Sequence, residues 1–334
     1  MAESQPVSAA AQAPWLVFGI YPGGLTGTES ELLVGTADDP ERTEEALARL
    51  QLEGRPFLIR GYVHYTGSGR AENLTPAGMI RYLRGERRLD LVLCFRSAEG
   101  DMKDWTQFVR AAVREYGPHL AAFQVAEEPN NPGPGGDGHV AHVRQAVVTG
   151  VIVAKEEARR QGYAVQVGFN ATPSFPPGDF WADLATRGGQ PFLDALDYVG
   201  LDFFPDVFRP IAPADLQGAV AGLLAHFRQV VLPAGGIPSR VPIRVTENGW
   251  PTGPGRSPER QAAALETVIR TVHDRRAALN IAGYELFDLR DADSSRPNLF
   301  CQFGLLRDDY EPKPAFETYR RLIAELGAEG WPAG

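Results

Sequence analysis

Apolar and β-branched residues gather along the chain in eight short runs, at about 15–21, 56–65, 89–96, 120–127, 163–170, 196–204, 241–247 and 281–288. Each is rich in Val, Ile, Leu, Phe or Tyr, and most stop at Gly, Pro, Asn or Asp, the pattern of strands that end in loops. Their starts lie 41, 33, 31, 43, 33, 45 and 40 residues apart, the cadence of a strand followed by a crossover. The runs are continuously apolar rather than alternating, as in parallel strands covered on both faces. Between them the polar positions recur at helical spacing. The pattern predicts helices over Asp39–Leu52, Trp105–Tyr116, Val140–Arg160, Ser257–Leu279 and Lys313–Leu326, the fourth opening on Ser-Pro-Glu-Arg with an N-cap and a first-turn proline.

Eight such units predict an α/β chain folded as one (β/α)8 TIM barrel over 14–327, between a disordered N-terminal tail (1–13) and a C-terminal tail (328–334). A doubly wound open sheet is the architectural alternative. It calls for Gly-x-Gly-x-x-Gly after the first strand, where Phe18-Gly-Ile-Tyr-Pro-Gly-Gly24 stands instead.

Composition narrows the function classes. A net charge of −9 and a pI near 5.3 leave no basic patch for nucleic acid or an anionic membrane. Three lysines (Lys103, Lys155, Lys313) stand against 30 arginines, a bias that reads as codon composition. Cys94, inside Leu91-Val-Leu-Cys-Phe95, reads as a core residue, and two cysteines imply no disulfide framework. The first 13 residues lack a basic start and an apolar core for export, and no stretch is long enough to span a membrane, so a cytoplasmic location is expected.

Two strand ends carry carboxylates placed for chemistry. Glu128 lies in Phe123-Gln-Val-Ala-Glu-Glu-Pro-Asn130 at the end of the fourth run, and Glu247 in Val241-Pro-Ile-Arg-Val-Thr-Glu-Asn-Gly-Trp250 at the end of the seventh. Barrels put their working groups at the C-terminal ends of strands. Two carboxyls flanking a glycosidic bond suffice to cleave it, with retention at a separation of about 5–5.5 Å and inversion at about 6.5–9.5 Å. Glu247 then has to stay ionised, and Glu128 protonated with the help of a neighbouring negative charge. Arg60, Tyr62 and His64 alternate on the second run and share one face. With that face inward, Arg60 is the natural partner of Glu247 and Tyr62 lies on the substrate side. Asn170, closing the fifth strand, is placed to meet a sugar hydroxyl, and the sixth offers Asp202 with Phe203 and Phe204. Among rings that could stack on a sugar, Trp250 leads, followed by Tyr21, Trp181 and Phe287. Asp288 and Asp291 flank Arg290 as a salt-bridged rim or as part of the sugar site.

These segments resemble a known family. Ala126-Glu-Glu-Pro-Asn130 is similar to the Asn-Glu-Pro motif of the retaining β-glycosidases of clan A, the 4/7 superfamily, and Val245-Thr-Glu-Asn-Gly-Trp-Pro251 looks like their nucleophile strand. Gly283-Tyr-Glu-Leu-Phe-Asp-Leu-Arg-Asp291, Phe303-Gly-Leu-Leu-Arg307 and Lys313-Pro-Ala-Phe316 are similar to their last unit, so the resemblance spans about 14–326. It implies a β-glycoside hydrolase with Glu128 as acid/base, Glu247 as nucleophile, a carbohydrate substrate and no cofactor or metal. Two departures stand out. Glu127 occupies the place of an Asn that contacts the sugar 2-hydroxyl, and an ionised carboxylate accepts a hydrogen bond but donates none. Phe203, Phe204 and Phe287 stand where such enzymes carry His, Tyr or Trp. The alternative expectation is a carbohydrate-binding barrel that has lost its chemistry.

Other signals are weaker. His139-Val-Ala-His142 has a metal pair's spacing without a third ligand and reads as a solvated helix face. Asp291-Ala-Asp-Ser-Ser295 starts like a calcium loop but has Arg296 and Gln302 at positions needing Gly and Glu. No clustered metal ligands and no inward strand-end lysine are apparent, which leaves a metal-dependent lyase or aldolase without support. The sequons Asn73-Leu-Thr75 and Asn170-Ala-Thr172 lack a secretory context.

Overall fold

All eight apolar runs become strands of one parallel sheet in a computed structural model of the chain: β1 (Val17–Ile20), β2 (Phe57–Gly67), β3 (Arg87–Phe95), β4 (Leu120–Val125), β5 (Gln166–Ala171), β6 (Tyr198–Asp202), β7 (Ile243–Asn248) and β8 (Ile281–Leu286). Neighbours in sequence are neighbours in space, and β1 pairs with both β8 (Val17 opposite Gly283) and β2 (Phe18 opposite Phe57). The sheet therefore closes, and the chain is a (β/α)8 barrel. The structure describes residues 15–24, 26–27, 32–33, 35–67, 70–73, 79–133 and 135–327. The expected tails lie outside these residues, as does most of the Asn73 sequon.

The helices are α1 (Pro40–Leu50), α2 (Met102–Tyr116), α3 (Val143–Gln161), α4 (Phe180–Ala195), α5 (Leu216–His226), α6 (Pro258–Leu279) and α7 (Pro314–Leu326). Local chemistry starts them. Asp39 accepts from the N–H groups of Glu41 and Arg42 ahead of Pro40, Asp101 from those of Lys103 and Asp104, and Ser257 from that of Arg260 ahead of Pro258. Two helices escape the periodicity reading. In α4, Gly189 takes φ 52° and Pro191 follows, so the pattern breaks inside the element. α5 is apolar over much of its length and runs on through a wider turn to Ala234. Between β2 and β3 the described connection is a short antiparallel strand, Arg70–Asn73, and a 3-10 turn, Met79–Tyr82, in place of a helix. His139 and His142 precede the start of α3 and sit in its loop, so the expected helix face does not exist there. Among the described residues no helix is long and apolar enough to cross a membrane.

Apolar side chains such as Phe123, Val167, Val199 and Ile243 fill the layer around the barrel wall, while Cys94, on the same inward face of β3 as Asp90, is a buried free thiol. At an order of 25 cal/mol per Å2 of apolar surface removed from water, this layer is the main stabilising term.

Candidate active site

The barrel lumen is polar. Isolated charged or amide residues on otherwise apolar strands turn inward: Arg60 on β2, Asp90 on β3, Gln124 on β4, Arg244 on β7 and Glu285 on β8, all buried. Arg244 donates to Glu285 at 2.7 Å and lies 3.6 Å from Asp90, while Arg60 lies 3.3 Å from Asp90. This layer forms the floor beneath the strand ends.

Above it stand four carboxyls. β7 brings the first through a bulge. Val245 pairs with Leu201 and Glu247 with Asp202, so two residues of β7 span one of β6 and the alternation of side chains is reset. Thr246 and Glu247 consequently both reach inward. Thr246 donates to Asp202 Oδ1, and Glu247 Oε1 accepts from the Tyr62 hydroxyl with Arg60 Nε 3.5 Å away. The expected Arg60–Glu247 pairing is present.

β4 brings the next two at a strained exit. Ala126 and Glu128 take φ 66° and 42°, left-handed conformations that non-glycine residues adopt only when their surroundings impose them. The surroundings are specific. The Glu128 N–H donates to Asn170 Oδ1 at 2.7 Å, and Asn131 Nδ2 donates to Glu128 Oε2 at 2.6 Å. Glu127 turns the other way, into the lumen. Its Oε2 accepts from Gln124 at 2.8 Å, Arg60 at 3.3 Å and Asn170 at 3.3 Å, and among the described residues none donates to its Oε1. Asp202, the fourth, accepts from Asn170 Nδ2 and Thr246, which engages both its oxygens.

The loop after β4 clamps this exit. Asp137 is fully buried. Its Oδ2 accepts from the N–H groups of Phe95 (2.7 Å) and Glu127 (2.8 Å), and its Oδ1 lies 2.7 Å from Arg96 Nε. Gly138 is required here, because a Cβ would sit 2.4 Å from the Asn131 carbonyl oxygen.

Burial dominates the proton affinities. It raises Glu247 well above an ordinary glutamate, with Glu127 adding to the rise and Arg60 and the Tyr62 hydrogen bond opposing it. Burial and then Asp202 raise Glu127, and burial raises Glu128 against the Asn131 hydrogen bond and Arg60. Asp202 is pushed up by burial and by Glu247. Asp137 is lifted to about 6 by burial despite Arg96 and two N–H donors. Such closely placed carboxyls titrate as a group that shares protons. His64 is held neutral, its pKa lowered to about 3 by burial and by Arg96, as befits a packed histidine.

Several expectations are corrected. Trp250 is 4% exposed, with Arg256 and Arg260 at 4.6 and 5.9 Å from its ring and its Nε1 donating to Asp206, so it packs and does not offer a face to a sugar. Trp181 is in the outer core against Phe169, Phe180 and Phe227. Arg60, Tyr62 and Asn170 direct their polar atoms at Glu247, Glu127, Glu128 and Asp202 rather than at open space. These contacts hold the carboxyls in place. Arg290 pairs with Asp38 at 2.8 Å and Asp291 with Lys313 at 2.7 Å, so the expected rim triad does not form.

Phe287 does hold its place at the mouth, half-buried and stacked on Tyr21 at 5.4 Å with planes 7° apart. From it an aromatic strip runs outward through Phe303 (5.8 Å) to Phe204 (5.6 Å from Phe303) and on to Phe208, which is 57% exposed. Glu127, Glu128 and Asp202 place one carboxylate oxygen each within 4.8 Å of one another, a clustering that the sequence did not suggest.

No protein-family profile and no curated protein matches the chain. Solved structures do. A β-glucuronidase from Ruminococcus gnavus in complex with D-glucuronic acid shares 12% identity at a TM-score of 0.61, over 92% of this chain and 49% of that one. A family 39 glycoside hydrolase from Bacteroides cellulosilyticus WH2 shares 16% at 0.61, over 95% and 65%. The β-D-glucuronidase of Dictyoglomus thermophilum shares 11% at 0.58, over 94% and 51%. This chain thus spans about half to two-thirds of those structures, and at these identities the likeness is one of fold. The expected similarity to barrel glycosidases is met at that level.

Proposed function

We propose that the chain is a glycoside hydrolase that cleaves β-glycosidic bonds with retention, with Glu128 as acid/base and Glu247 as nucleophile. The observation that carries this reading is the pair of carboxyls at the C-terminal ends of β4 and β7, each held by dedicated donors: Asn131 on Glu128, Tyr62 and Arg60 on Glu247. In the first step Glu128 gives its proton to the glycosidic oxygen as the bond from that oxygen to the anomeric carbon breaks, and Glu247 forms a bond to that carbon. In the second, Glu128 takes a proton from water, the water oxygen bonds to the anomeric carbon and Glu247 leaves. Raised proton affinity suits Glu128 as the acid, and loss of the Glu247 charge in the intermediate suits it as the base. Phe287, Phe204 and Phe208, which are at least partly exposed, take the stacking role in place of Trp250. The reaction needs no cofactor, the substrate is a carbohydrate, and neither nucleic acid nor membrane takes part. The barrel spans 14–327 between the two tails, and a cytoplasmic location accords with the composition.

Glu247→Ala should abolish hydrolysis of an activated aryl β-glycoside, and undiminished turnover in that variant would sink the assignment. One observation favours the rival reading, a binding barrel without catalysis: burial and Glu127 push the Glu247 carboxyl toward its neutral, unreactive form. That reading requires sugar binding unaffected by Glu247→Gln and no turnover of any glycoside.

A further inference from the structure

Resting on the hydrolase reading, we infer that Glu127 makes the site selective for amino sugars: the reacting residue is a 2-amino-2-deoxyglycoside with a free ammonium, preferred over a neutral sugar and strongly over a uronic acid.

The argument starts from the charges in the lumen. Two arginines, Arg60 and Arg244, face six carboxyls: Asp90, Glu127, Glu128, Asp202, Glu247 and Glu285. Both arginines are already committed. Arg60 directs Nε to Tyr62 and Glu247, Nη1 to Asp90 and Gln124, and Nη2 to Gln124 and Glu127. Arg244 serves Glu285 and Asp90. Arg96, Arg290 and Lys313 are bound to Asp137, Asp38 and Asp291. A substrate carboxylate would therefore enter an acidic lumen in which these cations are already engaged.

The second observation is Glu127 itself. Its side chain is 9% exposed, and three donors converge on Oε2 while Oε1 has no partner among the described residues. Oε1 is thus the open half of this carboxylate, able to accept a hydrogen bond from a bound ligand. The missing donor has a definable place. Glu127 shares Arg60 with Glu247, at 3.3 and 3.5 Å, and places a carboxylate oxygen within 4.8 Å of one of Glu128, so it sits beside the two groups that would bracket the anomeric carbon. That carbon has two ring neighbours: the ring oxygen, which has no hydrogen to donate, and C2. An ammonium on C2 supplies both the donor and the charge that the lumen lacks.

The test is calorimetric binding of unhydrolysable phenyl 1-thio-β-glycosides to the full chain: 2-amino-2-deoxyglucoside and -galactoside, glucoside and galactoside, and glucuronide. Amino sugars should bind about ten-fold or more tightly than their neutral counterparts, as expected for hydrogen bonds between charged partners, with the glucuronide weakest. Glu127→Gln, which keeps the side-chain shape, should remove the preference, and Asp202→Asn should reduce it. Equal affinities in the wild type, or a preference that survives Glu127→Gln, would overturn the inference. Hydrolysis of the matching oxygen-linked glycosides separates the two readings. An amine preference without turnover leaves the recognition standing and removes the hydrolase; turnover of neutral glycosides without an amine preference does the reverse.

Discussion

Arg60 Nε lies 3.5 Å from Glu247 Oε1, and the hydroxyl of Tyr62, the next inward residue of the same strand, donates to that same oxygen. Arg60 also donates to the Tyr62 hydroxyl oxygen at 2.7 Å. Cation, phenol and carboxylate form a triangle from β2 to β7 that holds one oxygen of Glu247 and leaves the other for a reacting carbon.

The triangle predicts the behaviour of Tyr62→Phe. Its hydroxyl opposes the rise that burial imposes on Glu247, so its removal raises that carboxyl further. The acid limb of kcat/KM, set by Glu247 losing its proton, should move to higher pH, and kcat should fall about 10- to 1,000-fold, the range for one preorganised hydrogen bond. A pH profile on an aryl glycoside reads both. An unmoved acid limb would show that Tyr62 does not act through Glu247.

Glu128→Gln separates the two steps of the reaction. Protonation of the leaving oxygen is worth about 10²–10⁴ in rate, so turnover of a glycoside with a poor leaving group should collapse by that factor. A dinitrophenyl glycoside needs no such proton and should still form the glycosyl-enzyme, which added azide would release as the β-glycosyl azide. Proton NMR of the first product of the wild-type reaction should show the β anomer. An α product would mean inversion and would remove Glu247 as nucleophile.

The shared protons of the lumen have a stability consequence. Glu127 and Asp202 bind protons more tightly folded than unfolded, through burial first and then through a neighbouring carboxyl, Asp202 for Glu127 and Glu247 for Asp202. Their stabilising contribution is therefore complete below the ordinary carboxylate range and is lost as pH rises through their raised folded values. A neutral isostere at Glu127 avoids that loss, which amounts to about 1.4 kcal/mol for each unit by which the folded pKa exceeds the unfolded one. Glu127→Gln should thus melt several degrees above wild type at pH 8 and close to it at pH 4. Calorimetric melting at the two pH values checks the sign, and an equal shift at both would contradict it.

Much of this was legible in the sequence, for physical reasons that also mark the limits. The barrel strands show because each is covered on both faces and carries only isolated polar residues, and Glu128 and Glu247 show because a strand end followed by Pro or Gly exposes whatever precedes it. Arg60 and Tyr62 follow from simple alternation. Trp250 was misjudged because nothing local reveals that Arg256 and Asp206 come back to cover it. Asp90, Gln124, Arg244 and Glu285 were overlooked, although a lone polar residue inside an apolar run was the available sign of an inward polar layer. The four-carboxyl cluster depends on the β7 bulge, which has no sequence mark.

Asp137 had no sequence signal beyond a glycine-rich loop, yet it joins that loop to the ends of β3 and β4 through the N–H groups of Phe95 and Glu127 and through Arg96. Asp137→Ala leaves two buried N–H groups and a guanidinium without their acceptor. Each unmet amide costs about 1–3 kcal/mol, and breaking a buried ion pair about 3–5 kcal/mol, with partial relief as the loop opens to water. A net loss of about 3–5 kcal/mol in urea unfolding at pH 7 is expected. Because the Glu127 N–H and the adjoining left-handed turn at Glu128 would loosen together, kcat should fall by at least ten-fold while KM changes little. Asp137→Asn retains an acceptor for the backbone but gives up the charge on Arg96, so it should fall between the two in stability and recover most of the activity. Equal losses in Asn and Ala variants would assign the residue's effect to the Arg96 pair alone and not to the clamp on the β4 exit.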